Sequence, residues 1–335
     1  DAIDEVREAP VEVVVFDKSR GVAGRAASRT RHGARFDFGA NYIKLDTPEL
    51  EQLVRHELPV DDLVQIPGDV WTFDGAGQVA PGDPAHNRQP KWTYSSGIST
   101  LGKHLARAAG AEVRLQTRVT ALERVDGAWQ LVTEDLEPVD NGAFDAILLT
   151  PPAPQSRDIL AASEIAGVDL PAIDTALARS RYHLQWCFAL GFDRSLENRP
   201  PSFALINSDR SHDIAWLSFE NDKPGRELGG STVLMVQMSP AWSERHFDAA
   251  AEELLPHVRE AALSLLGLED RPVAWFDSQR WRFAHPYQSA DIDGLRTAES
   301  DGLFIAGDAL VGKGRVGESM ATGLRAAERI AAALG

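Results

Sequence analysis

The chain has 335 residues, 43% of them apolar and 25% charged, an apolar share that fills a sizeable core and excludes a disordered protein. No apolar run reaches the roughly 18 residues that a membrane span needs, and no signal-peptide pattern opens the sequence. The single cysteine, Cys187, excludes an internal disulfide framework and a cysteine-based zinc cluster.

Fifty acidic against 34 basic residues give a net charge of −16, a field that repels nucleic acid and anionic membranes. The expectation is a cytoplasmic protein whose partners are small molecules, with no membrane span and no nucleic acid. Only Lys18, Lys44, Lys91, Lys103, Lys223 and Lys313 are lysines. Many carboxylates with few lysines suit a hydrated, salt-tolerant surface, so a halophilic source is expected. The alternative is an ordinary acidic enzyme.

The first residues read Asp1-Ala-Ile-Asp-Glu-Val6, without an initiator Met. Ala2, Ile3 and Val6 have helical spacing and Pro10 ends the pattern. The β-branched run Val11–Phe16, closed by Asp17, predicts a buried parallel strand. Helix then strand is the second half of a βαβ unit. Its first strand and Gly-rich turn would lie upstream, and no G-x-G-x-x-G stands at another strand-to-helix junction, which leaves two readings: a fragment, or a protein that does without that element.

After Asp17 come Gly21-Val-Ala-Gly24-Arg25 and Arg29. An acid ending such a strand can accept hydrogen bonds from a ribose diol, the glycines allow close backbone approach, and the arginines can oppose a pyrophosphate. The same pattern also makes an ordinary turn. Gly33–Tyr42 supplies a further strand ending in Asn41 and Tyr42.

Residues 97–109 predict a helix, followed by strands over 112–115, 119–124, 129–133 and 144–151 with turns at Asp126-Gly127 and Asn141-Gly142. Pro151-Pro152-Ala-Pro154 reads as a domain boundary. Alternation over 182–190, 202–206, 214–219 and 232–238 predicts a mostly antiparallel sheet, with an amphipathic helix over 249–266. Residues 53–96 are expected to join that sheet. At the far end, Gly302-Leu-Phe-Ile-Ala-Gly307-Asp308 is a short buried strand ended by an acid. A glycine-containing loop and a helix from Val316 follow, presenting backbone N–H groups at a positive dipole end. An unremarkable final βα unit would look the same.

Together, Asp17…Gly21-Val-Ala-Gly24-Arg25 and Gly302–Asp308 resemble the flavin-containing amine oxidase superfamily. Phe16–Arg25, Phe36-Asp-Phe-Gly-Ala-Asn-Tyr42 and Gln279-Arg-Trp-Arg-Phe-Ala284 are most similar to its renalase-like branch. The resemblance spans nearly the whole chain but lacks the family's first strand and Gly-rich turn. It implies an α/β fold: a Rossmann-like FAD-binding domain, N-terminally truncated (1–52, 97–155, 290–335), interleaved with an antiparallel α+β substrate domain (53–96, 156–289).

By the same resemblance, Asp17 binds the adenosine ribose, Gly24 and Arg25 approach the pyrophosphate, and Arg29 supports that region. Ala40, Asn41 and Tyr42 pass close to the flavin ring. Val119 pairs through its backbone with adenine, Asp308 holds the ribityl chain, and Val316 and Gly317 offer N–H groups to the ring's N1/O2 edge. The implied activity is hydride transfer from a small amine or a dihydronicotinamide-like substrate to flavin N5, with oxygen or another electron acceptor reoxidising the ring. The implied FAD is non-covalent, because Cys187 lies in an apolar strand, remote from the C-terminal motif.

Asn41, Tyr42 and Trp281 are the candidates to line the reacting centre, with packing as the alternative for Tyr42 and Trp281. His285, before Pro286, reads as a loop residue. The nine histidines show no metal-ligand spacing, and neither a G-x-S-x-G elbow nor a Walker motif is present. Two alternatives stand: a flavoenzyme of carotenoid-desaturase or protoporphyrinogen-oxidase type, and a non-catalytic binding protein that has lost its nucleotide site.

Overall fold

The computed structural model describes residues 11–134, 143–226 and 230–335. The predicted helix over Ala2–Val6 and the Asn141-Gly142 turn lie outside them. In chain order the strands are β1 (Val14–Asp17), β2 (Ser28–Arg31), β3 (Ala34–Asp37), β4 (Leu63–Gln65), β5 (Val70–Phe73), β6 (Val79–Ala80), β7 (Trp92–Tyr94), β8 (Glu112–Leu115) and β9 (Val119–Val125). They continue with β10 (Ala128–Thr133), β11 (Ile147–Leu149), β12 (Arg181–Phe192), β13 (Ala204–Asn207), β14 (Ile214–Phe219), β15 (Thr232–Met238), β16 (Trp275–Gln288) and β17 (Leu303–Ile305). The longer helices are α1 (Thr100–Ala108), α2 (Ala153–Ala161), α3 (Leu170–Ala178), α4 (Ala251–Leu265) and α5 (Val316–Leu334).

The chain divides into two compact units: residues 1–24, 102–182 and 285–335, and residues 25–101 and 183–284. Residues 25–52, expected with the nucleotide-binding elements, belong to the second unit; residues 156–182 belong to the first. The proline run at 151–154 opens α2 inside the first unit.

In the first unit, β1 runs parallel to β8 and β11 parallel to β17. The β9–β10 hairpin turns through Asp126 and Gly127, both at positive φ, as a two-residue hairpin turn demands. Leu122, Trp129, Ile147, Leu149, Leu303 and Ile305 form its core with α2 and α3, and Phe16 packs against it. The strand expected over 144–151 is regular only over three residues, and Phe144 instead bridges to Trp129 of the hairpin. β1 is parallel as expected but not buried on both faces: Val15 is 37% exposed, while Phe16 turns to the core.

The second unit is built on a seven-stranded sheet in the order β16-β12-β15-β14-β13-β5-β6. β12 with β15, β15 with β14, β14 with β13 and β5 with β6 pair antiparallel, while β13 and β5 run parallel. Period-two alternation divides each strand between two apolar layers. Phe188, Leu190, Leu234 and Val236 face α4, whose Leu254, Val258 and Ala262 complete the larger core. Cys187, Ala189, Val233 and Met235 face the other way, toward Ala34 and Phe36 of β3. That second layer draws residues 25–52 into this unit. Of residues 53–96, β5 and β6 join the sheet, whereas β4 and β7 pair separately.

Candidate functional site

In the first unit, one parallel strand ends in an acid and a second is followed by one. Asp17 closes β1, and its Oδ1 accepts the Ser19 N–H at 2.7 Å. The loop beyond bends through Ala23 and Gly24, both at positive φ. Side chains added at Gly21 or Gly24 would meet nothing within 4 Å, so the backbone of this loop is open to approach. Val119 opens β9 at an irregularity in its register with β10.

β17 is followed by Gly307 at φ 109°, ψ −172°, a conformation essentially restricted to glycine. Two side chains hold this turn. The Gly307 N–H donates to Thr322 Oγ1 at 2.7 Å, tying the turn to α5. The Tyr182 hydroxyl donates to Asp308 Oδ1 at 2.8 Å and accepts the Ala153 N–H at 3.4 Å. Asp308 is 8% exposed. The 19-residue α5 starts at Val316 without a side-chain cap on its first turn, and Gly317 there is buried. An uncapped helix N-terminus of this length offers unsatisfied N–H groups and a partial positive charge. His285 lies within β16 rather than in a loop, and a side chain at Gly314 would come within 2.5 Å of its Cβ.

In the second unit, Phe38–Asn41 is held from several sides. Trp281 Nε1 donates to the Phe38 carbonyl at 3.1 Å, and its ring stacks on Phe38 with centroids 5.6 Å apart. Gln237 Nε2 donates to the Gly39 carbonyl at 2.8 Å, and the Ala40 N–H to the Arg25 carbonyl at 3.0 Å. A Cβ at Gly39 would lie 1.9 Å from that same Arg25 oxygen, so only glycine permits this approach. The Ser218 hydroxyl bonds Asn41 Oδ1 at 3.1 Å, and Asn41 is 9% exposed. Tyr42 packs on Trp216 among Ile66, Phe203 and Ala204.

The two expected phosphate-facing arginines are engaged inside this unit. Arg25 donates to the carbonyls of Phe283 and Ala284. Arg29 pairs with Asp277 at 2.7 Å, donates to Gln279 and lies over the Phe38 ring. Asn41 and Tyr42 are thus neighbours on one segment, with Trp281 beneath that segment as a packing support. Cys187 is buried on the sheet, where desolvation pushes its thiol well above the ordinary range.

A buried ionic cluster went unread in the sequence. Asp37 accepts from Lys223 at 3.0 Å and Arg226 at 2.8 Å, and Glu220 pairs with the same two cations at 2.7 Å each. All four side chains are at most 1% exposed. Burial alone would raise Asp37, but Lys223 and Arg226 outweigh it and lower its pKa to about 2. Asp37 also accepts from Ser28 and the Ile98 N–H, and its own N–H donates to Glu220. The cluster therefore anchors the residue immediately before Phe38–Asn41. An acid set between Phe36 and Phe38, in a chain with six lysines, was the available signal.

Comparison with known proteins identifies the family. Residues 85–331 match the family of flavin containing amine oxidoreductases, and residues 3–56 match an NAD(P)-binding Rossmann-like domain. Renalase of Mus musculus is 23% identical over 318 residues, covering 89% of this chain and 85% of that protein. Among solved structures, a candidate protoporphyrinogen oxidase from Exiguobacterium sp. 255-15 shares the fold with a TM-score of 0.74 at 15% identity, covering 99% of this chain and 95% of the other. Cyclohexylamine oxidase from Brevibacterium oxydans IH-35A shares it with a TM-score of 0.72 at 14% identity and the same coverage. The family match spans most of the chain: this protein belongs to the flavin-containing amine oxidoreductases and is an FAD-dependent oxidoreductase.

Proposed function

We propose that the enzyme oxidises a small amine or a dihydronicotinamide-like molecule by removing a hydride from a carbon attached to, or conjugated with, nitrogen. Oxygen or another acceptor finally takes the electrons. When bound, FAD supplies the two-electron acceptor for that hydride.

The observation that carries this reading is the fixed Phe38–Asn41 segment. Its carbonyls and the Asn41 amide are held by Trp281, Gln237 and Ser218, and neither the segment nor its anchors include a strong nucleophile. Hydride transfer asks for orientation more than for a base, and a segment held at its carbonyls and at Asn41 supports that reading. We assign Asn41 and Tyr42 to orienting the substrate and Trp281 to supporting them from below.

The first unit is the proposed FAD-binding unit and the second the substrate-binding unit. The donor set suits FAD: Asp17 for the ribose diol, the open backbone at Gly24 for the pyrophosphate, and the Val119 backbone for adenine. Asp308 would hold the ribityl chain. The uncapped first turn at Val316 and Gly317 would face negative charge on the ring. The cofactor is proposed to be non-covalent, since Cys187 is the sole cysteine and is buried in the sheet.

The test is anaerobic addition of a primary amine, a dihydronicotinamide isomer, a reduced tetrapyrrole or a polyene to the FAD-loaded protein, read as flavin bleaching. Bleaching by either of the first two supports the proposal. Bleaching by the tetrapyrrole or polyene alone would replace it with the second enzyme reading. Acid precipitation should leave the flavin in the supernatant.

A further inference from the structure

We propose that Tyr182 is a positioning residue of the cofactor site, acting through Asp308. The inference rests on the assignment of Asp308 to FAD. Asp308 directly follows Gly307 at the C-terminal end of a parallel strand, where ligands of open α/β sheets bind. A buried carboxylate there can rotate about its side chain unless something fixes it. The Tyr182 hydroxyl does so: it donates to Oδ1 at 2.8 Å and is itself held by the Ala153 N–H at 3.4 Å. Ala153 is the first residue of α2, so the relay runs from a helix start through a phenol to the acid.

Tyr182 also packs with its ring against the core of Ile147, Leu149, Leu303 and Ile305, which limits the phenol to a narrow range of positions. The ring serves packing and the hydroxyl serves Asp308. Removal of the oxygen alone separates the two roles.

The experiment is FAD titration of the apoprotein, followed by flavin fluorescence, for the wild type, Tyr182→Phe, Asp308→Asn and the double variant. Thermal unfolding of each apoprotein runs alongside. Loss of a hydrogen bond that orients a charged partner should weaken FAD binding by about fivefold to twentyfold in Tyr182→Phe. In the Asp308→Asn background the same change should cost little further, because an effect transmitted through Asp308 disappears when Asp308 is altered. Equal loss in both backgrounds would mean that Tyr182 acts independently, and would overturn the proposal. Wild-type binding with unchanged affinity in Tyr182→Phe would overturn it alone. A folded wild type that takes up no FAD would overturn both the proposal and the site assignment beneath it.

Discussion

Lys223 illustrates how much a single residue sets at this protein's interior. Its ammonium is fully buried between Asp37 and Glu220, and Arg226 supplies the second positive charge. Breaking a buried pair leaves a charge without compensation, so Lys223→Met should destabilise the fold by about 3–5 kcal/mol in urea unfolding. A loss below about 1 kcal/mol, the range of exposed pairs, would contradict the burial described here. The cluster also sets a pH dependence. The folded-state pKa of Asp37 is depressed to about 2 from the ordinary 3.8, so its contribution is complete above the ordinary value and fades as pH falls through about 2. Acid unfolding of Asp37→Asn should therefore lose part of its steepness in that window.

At the level of elements, the Gly307-Asp308 turn shows how a strand, a helix and a side chain cooperate. Thr322 Oγ1 accepts the Gly307 N–H and donates to the Ser319 carbonyl one turn earlier in α5. Thr322→Val keeps the shape but leaves that N–H unpaired at a buried position, at a cost of about 1–3 kcal/mol. FAD affinity should fall with it, since the turn carries Asp308; unchanged thermal unfolding and affinity would show that the turn holds without the threonine.

Much at this scale was legible in the sequence. β14 and β15 follow their alternation residue for residue, and α5 begins at the expected Val316. Both have strong local patterns: apolar runs in the strands and helical spacing after a glycine loop. β2 was harder, because Ser28–Arg31 is short and polar, whereas β3 falls within the strand expected over 33–42 but its packing partners were not readable. The place of both strands depends on Phe36 finding Cys187 and Ala189 about 150 positions away in the sequence. Local periodicity carries no record of such a contact. The same holds for the union of Asp37 with Lys223 and Arg226, and for Arg29, whose partner Asp277 lies far along the chain. The end motifs around Asp17 and Asp308 were readable because turn glycines and terminal acids sit next to each other in sequence.

For the whole molecule, the charge of −16 with six lysines is the feature that reaches beyond the fold. If the acidic surface is an adaptation to salt, the urea midpoint should climb as KCl is raised into the molar range, where screening of exposed repulsion is complete. A flat midpoint would identify an ordinary acidic enzyme. Among the described residues no helix is long and apolar enough to cross a membrane. The chain folds as two compact units, one with Asp17, Asp308 and the uncapped α5, the other with the seven-stranded sheet and the segment that bears Asn41 and Tyr42; the proposed function gives the first to the cofactor and the second to the substrate.

The most direct test of the central claim is the visible absorption spectrum of the purified protein after incubation with excess FAD and desalting. The account predicts the two bands of oxidised flavin at near one FAD per chain, with the longer-wavelength band lost on addition of an oxidisable amine or dihydronicotinamide without oxygen. A folded protein that emerges colourless from the column would contradict it.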